Sequence, residues 1–172
     1  MLPRPTPTTT EKSMREGDFI VSKTDLQGRI TYANRIFMEF AGYTEQELIG
    51  APHNLIRHPD MPRGVFELLW DSVRQGKEIW AYVKNLSKDG SFYWVLANVT
   101  PTYADNGDFA GYYSVRRKPD PRALQAIQEL YAALLKAEEG KSPKDACTAS
   151  LGLMNQVLSE KGVSYDEFIL TL

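Results

Sequence analysis

Cysteine is almost absent from this chain: Cys147 is the only one in 172 residues. An internal disulfide is thereby excluded, and the composition fits a reducing compartment. No apolar run approaches the roughly 20 residues that a membrane-spanning helix needs. The start, Met1-Leu2-Pro3-Arg4-Pro5-Thr6-Pro7, has no signal-peptide hydrophobic core. Charge of one sign is not in excess either. Lys and Arg total 20 against 22 Asp and Glu, a formal net charge of -2, which gives no electrostatic basis for binding nucleic acid. There is no metal-spaced cluster, nucleophile triad or phosphate loop. The expectation is a soluble cytoplasmic protein that is not an enzyme and does not enter the membrane itself.

What is present suffices for one domain and an appendage, since 42% of the residues are hydrophobic. Residues 1–17, rich in proline, threonine and charge, read as a flexible or extended lead-in. A strand begins at Phe19, turns at Thr24–Gly28 and returns over Arg29–Tyr32. Asn34 reads as the N-cap of a helix that ends at Gly42, and Thr44-Glu45-Gln46-Glu47 is a capping box for a second short helix. A third helix carries Val65, Phe66, Leu69, Trp70 and Val73 on one face and closes at Gly76. Strands follow over Ile79–Leu86, Phe92–Thr102 and about Phe109–Arg117, separated by Asp-Gly and Asn-Gly turns. Two strands, short helices, then three strands predict an α+β domain over residues 18–118, with a five-stranded antiparallel sheet and helices across one face.

Between the second and third helices lies Asn54-Leu55-Ile56-Arg57-His58-Pro59-Asp60-Met61-Pro62. The residue before Pro59 is pushed out of the helical region, so a turn over Asn54–Arg57 should stop at His58. Such a proline-braced elbow presents Arg57, His58 and Asp60 together. Taken alone it is equally well a solvated connection between helices.

The tail, residues 119–172, reads as a helical extension. Asp120-Pro121 and Ser142-Pro143 are cap and first-turn pairs, and Ser164-Tyr165-Asp166-Glu167 is a capping box. The stripe Leu124, Ile127, Tyr131, Leu134 covers under two heptads, too short for an independent coiled coil. It suits a helix docked on the domain and a homodimer seam equally.

The pieces Thr24–Asn34, Gly42–Gly50 and Lys88–Val95 resemble a PAS domain over roughly residues 18–118. The elbow, with Val83-Lys84-Asn85 downstream, closely resembles the sensor domain of bacterial aerotaxis receptors. The chain looks most like the soluble PAS half of split energy-taxis receptors. That resemblance implies an FAD-binding redox or oxygen sensor that works with a separate membrane-bound chemoreceptor or transducer. It carries Arg57, His58 and Asp60 over as residues needed for FAD. It also marks Trp80, although these receptors usually have their Trp soon after the helix-closing glycine and often behind a proline. Here, in Gly76-Lys77-Glu78-Ile79-Trp80, the proline is missing and the Trp stands one place later. One step along a strand turns a side chain to the opposite face.

An isoalloxazine ring needs apolar walls and a few placed polar groups. The faces Val65/Leu69/Trp70, Val83/Asn85, Val95/Ala97/Val99 and Tyr112/Ser114/Arg116 are the expected walls. In flavin-binding relatives an Asn at the place of Asn85 often meets the pyrimidine edge; otherwise Asn85 ends its strand in a turn. Arg116 would stabilise a reduced, negatively charged ring, or else snorkel to the surface beside Arg117 and Lys118. Trp70 serves as pocket wall or stacker, Asn34 as helix cap or ligand, and His53 as a loop histidine. FMN remains an option beside FAD. Haem would need His53 or His58 as axial ligand. Light-driven adduct chemistry lacks a cysteine before the elbow. A cofactor-free interaction or dimerisation module is the alternative from another class.

Overall fold

The structure, a computed structural model, describes residues 4–172; residues 1–3 of the expected lead-in lie outside the described residues. Five strands form one antiparallel sheet: β1 (Ile20–Thr24), β2 (Ile30–Ala33), β3 (Ile79–Leu86), β4 (Phe92–Tyr103) and β5 (Phe109–Arg117). Their order across the sheet is β2-β1-β5-β4-β3. Three hairpins, β1–β2, β3–β4 and β4–β5, account for most of this order, and β5 then closes onto β1, with Ser22 opposite Ser114. The chain crosses from β2 to β3 through α1 (Arg35–Ala41), α2 (Glu45–Leu48), a 3₁₀ turn (His53–Ile56) and α3 (Arg63–Arg74).

The local signals explain these starts and stops. Asn34 caps α1, and its amide is fully used: Oδ1 accepts from the amides of Phe37 and Val21, and Nδ2 donates to the Phe19 carbonyl. The Thr44/Glu47 capping box is formed. The 3₁₀ turn ends with an extended Arg57 just before His58 and Pro59. At α3, Pro62 occupies the N-cap position with no side-chain cap bond. The Arg63 amide donates to Glu138 Oε1 at 2.7 Å, and the Gly64 amide to Ser150 Oγ at 3.1 Å. Both caps come from the tail.

That tail forms α4 (Pro121–Glu138), α5 (Pro143–Lys161) and α6 (Tyr165–Thr171). It is docked on the domain. Ile127, Tyr131 and Leu134 of α4 are buried. The Tyr131 hydroxyl donates to the Tyr82 carbonyl at 2.7 Å, and its ring lies 6.2 Å from that of Trp94. α5 packs against α3 with Ser150, Met154 and Leu158 buried. α4 thus covers the outer face of the sheet at β3 and β4, while α5 grips a helix on the inner side.

The lead-in is also attached to the sheet, contrary to the flexible reading. The Thr8 amide donates to the Gly90 carbonyl at 2.8 Å, Phe92 donates to Thr10, and Lys12 donates to Phe92. Met14 is buried. Among the described residues no helix is long and apolar enough to cross a membrane.

Candidate functional site

A cavity of about 220 Å³ lies between α3 and the inner face of the sheet. Strand alternation sets its floor: Val83 and Asn85 from β3, Ala97 and Val99 from β4, Tyr112, Ser114 and Arg116 from β5, and Ser22 from β1. Phe66, Leu69 and Trp70 of α3 form the facing wall, and Val65 lies in the core instead. The Trp70 ring meets Tyr112 edge-on at 5.4 Å and lies over the turn glycine Gly28, where any Cβ would come within 3.2 Å of it.

The walls are only partly apolar, and three residues lining this space carry a buried polar atom without a partner among the described residues: Thr24 Oγ1, Asn85 Nδ2 and Arg116 Nη1. Asn85 is 4% exposed and Arg116 2%. A buried polar group left unpaired costs on the order of 1–3 kcal/mol, more when charged, so three around one cavity mark a place for a ligand with acceptor atoms. Arg116 has no carboxylate beside it. Its Nε donates to Ser114 Oγ at 3.1 Å, its Nη2 donates to Ser22 Oγ, and its guanidinium lies 4.8 Å over the Phe37 ring. Burial pushes its pKa down to about 10, with the Tyr93 hydroxyl the only group opposing this.

His53 was expected to be an ordinary loop histidine. It stands instead in the cavity, with Nε2 3.1 Å from Ser22 Oγ and 3.2 Å from Arg116 Nη2. Burial first, and then the Arg116 charge, push its pKa down to about 3. In an unfolded chain the ring takes up a proton near 6.5; folded, it resists until about 3. Stability attributable to this group therefore falls as pH drops from 6.5 toward 3, by at most about 1.4 kcal/mol per pH unit. The expected result is an imidazole whose NMR signals do not titrate near neutrality in the folded protein. A midpoint near 6.5 would contradict the enclosure.

Of the elbow's three polar side chains, only Arg57 reaches the cavity. Arg57 borders the cavity, its guanidinium 3.9 Å over the Phe66 ring. Burial, followed by Arg63 and Arg4, lowers its pKa to about 10. His58, before the proline, turns inward and is 2% exposed. Its Nδ1 accepts from the Asp60 amide at 3.1 Å, leaving the proton on Nε2. Burial and Lys84 lower its pKa, against Asp60. Asp60 points outward and pairs with Lys84 at 2.7 Å, tying the elbow to β3. His58 and Asp60 do not line the cavity.

Two further assignments are corrected. Trp80 lies on the outer face of β3, its ring 4.8 Å from the Arg117 guanidinium, away from the cavity. Asn34, with every amide atom bonded to backbone, does not reach it. The haem option finds no fitting donor either. The free lone pair of His53 is taken by Ser22 and Arg116, and that of His58 by the Asp60 amide.

A second, open groove of about 980 Å³ continues from the cavity, sharing Pro52, Asn54 and Arg57 with it. Arg4, Arg29, Arg57 and Arg63 border it, together with Glu47 and Glu138. Glu47 is already paired with Lys88 at 2.6 Å, which leaves the groove with surplus positive charge. Among the described residues no group of His, Cys, Asp and Glu would hold a metal ion.

The family model described as the PAS fold matches residues 30–116. The chain belongs to the PAS family. Its PAS region is similar to the aerotaxis receptor of Escherichia coli, 44% identical over 115 residues, covering 67% of this chain and 22% of the receptor. The chain thus spans about a fifth of that relative's length. It is also similar to the biofilm dispersion protein BdlA of Pseudomonas aeruginosa, 21% identical over 94% of this chain and 36% of that one. Among solved structures, a light-oxygen-voltage domain studied with a flavin analogue shares the PAS fold. Its TM-score is 0.56 at 21% identity, over 64% of this chain and 83% of that one.

Proposed function

We propose that this PAS protein binds a flavin, reads redox state in energy taxis, and signals by contact with a membrane-bound chemoreceptor or transducer, as a sensor rather than an enzyme. The observation that carries the reading is the set of buried, partnerless polar atoms, Asn85 Nδ2 and Arg116 Nη1 with Thr24 Oγ1, on residues that line one cavity with an apolar helix wall. The 44% identity to an aerotaxis receptor supports the same reading. When bound, a flavin supplies reversible electron uptake, and reduction adds negative charge along its pyrimidine edge.

The residues divide the work. Asn85 donates to the polar edge of the ring. Arg116 supplies a positive charge that persists at every physiological pH. Leu69, Trp70, Val83 and Val99 exclude water, which strengthens both contacts. The arginine groove favours FAD over FMN, because its surplus charge suits a pyrophosphate and Arg57 stands where cavity and groove join. His58 and Asp60 serve by shaping the elbow that carries Arg57.

The output runs through α3. Its middle forms a cavity wall, and its first turn is held by Glu138 and Ser150 of the tail. For the two redox states to act as a switch, they must favour different placements of the tail helices by a few kcal/mol. The partner would meet those helices in the cytoplasm, with the protein as monomer or homodimer.

The test is to purify the full chain, record its visible spectrum, extract any chromophore and identify it by mass. A yellow protein that releases FAD is expected. A colourless protein that takes up no added FAD would sink the sensor reading and leave a cofactor-free docking module.

A further inference from the structure

Buried guanidinium groups are ordinarily matched by carboxylates, because an uncompensated charge in the interior is costly. Arg116 departs from this rule. Its side-chain partners are all neutral: Ser22, Ser114 and His53 by hydrogen bonding distance, and Phe37 by its ring face. The arrangement is built by the fold. Cross-strand register sets Ser22 of β1 opposite Ser114 of β5, both on the inner face. The His53 amide donates to the Gly28 carbonyl at 2.9 Å, and its ring stacks on Phe37 at 5.8 Å and 21°. A guanidinium can only donate, so His53 Nε2, 3.2 Å from Arg116 Nη2, is the unprotonated nitrogen, and the Ser22 hydroxyl, which accepts from Arg116, is free to donate to it as well. The imidazole is thus a neutral acceptor for both neighbours.

We propose that Ser22 and His53 are positioning residues that aim the Arg116 guanidinium into the cavity and, being neutral, leave its charge for a ligand that becomes negative. This rests on the flavin reading above and adds a function for two residues outside it. A carboxylate at either place would satisfy the guanidinium equally well as structure, but it would cancel the charge. The site therefore tunes how strongly the reduced ligand is held relative to the oxidised one. Nη1, the one nitrogen without a partner, is the contact through which that preference is expressed.

The experiment uses the full chain loaded with FAD and measures three things: flavin per chain, melting temperature and the reduction potential of the bound flavin. Ser22→Asp and His53→Leu are expected to make the potential more negative. A tenfold loss of preference for the reduced form would appear as about 59 mV for a one-electron step. His53→Gln, which restores an acceptor, is expected to keep the potential of the unsubstituted protein. If Ser22→Asp does not fold, the comparison of His53→Leu with His53→Gln decides alone. An unchanged potential in the loaded Leu variant overturns the proposal, as does an equal shift in the Gln and Leu variants, which would indicate packing rather than hydrogen bonding. Failure of the unsubstituted chain to take up flavin would overturn the cofactor reading itself, a result separate from either of these.

Discussion

Replacing Arg116 by Met is expected to strip the protein of flavin while leaving the flavin-free fold as stable as before, or more so. The two effects have different origins. Binding loses a charge-assisted hydrogen bond in a dry site, which costs roughly 2–5 kcal/mol, or about 30-fold and upward in affinity. Folding loses a buried guanidinium that has no counter-ion. Exchanging buried charged groups for apolar ones of similar volume is often neutral, or stabilising by about 1–4 kcal/mol. The neighbours tolerate the change, because Ser22 can still donate to His53 and Ser114 lies 3.1 Å from the departing Nε without depending on it. Urea unfolding of flavin-free protein and a flavin titration measure the two terms separately. A variant that melts well below the parent while still binding flavin would show Arg116 to be a structural residue.

The second large effect concerns Gly64. A Cβ at this position would lie 2.5 Å from Ser150 Oγ and 3.0 Å from the Leu151 amide nitrogen. Alanine is the better helix former by about 1 kcal/mol. Overpacking of this kind costs about 1–3 kcal/mol, and the bond from the Gly64 amide to Ser150 would be stretched as well. The clash is expected to win, so Gly64→Ala should lower stability by about 1–2 kcal/mol and loosen α5 from α3. Protease cleavage within residues 139–145 should accelerate. Adding Ser150→Gly removes the nearest obstacle and should recover part of the loss, since substitutions at touching residues are non-additive. A Gly64→Ala protein as resistant to urea and protease as the parent would show that the α3–α5 contact is slack.

The legible parts of this molecule are those whose cause is local. Asp-Gly and Asn-Gly turns, the Thr44/Glu47 box and the apolar alternation of β3 to β5 each have their reason within a few residues, and the structure has them where the sequence put them. Strand parity pointed Asn85 and Arg116 inward as well, with a strand-ending turn for Asn85 and a surface position for Arg116 left open beside it. The elbow misled in one respect. Arg57 and His58 both border the open groove, but of the three elbow residues only Arg57 reaches the cavity, and Asp60 turns outward to Lys84, so adjacency did not put all three on one target. Trp80 shows the reverse: the parity that buried Asn85 placed Trp80 outside, and strand alternation outweighed the resemblance. His53 left almost no trace, since its partners Ser22 and Arg116 are 31 and 63 positions away and meet it only through tertiary packing. The same holds for Glu138, which reaches the start of α3 across 75 positions.

The pairing of Thr8, Thr10 and Lys12 with Gly90 and Phe92 has a practical corollary. The tip of the β3–β4 hairpin wears a borrowed upstream ribbon. A protein trimmed to begin at Ser13 would bare the Phe92 amide and carbonyl, an adhesive rim of the sort through which sheets recruit foreign strands. Such a shortened protein should self-associate with rising concentration in light scattering, whereas the untrimmed chain, which supplies its own ribbon, should not.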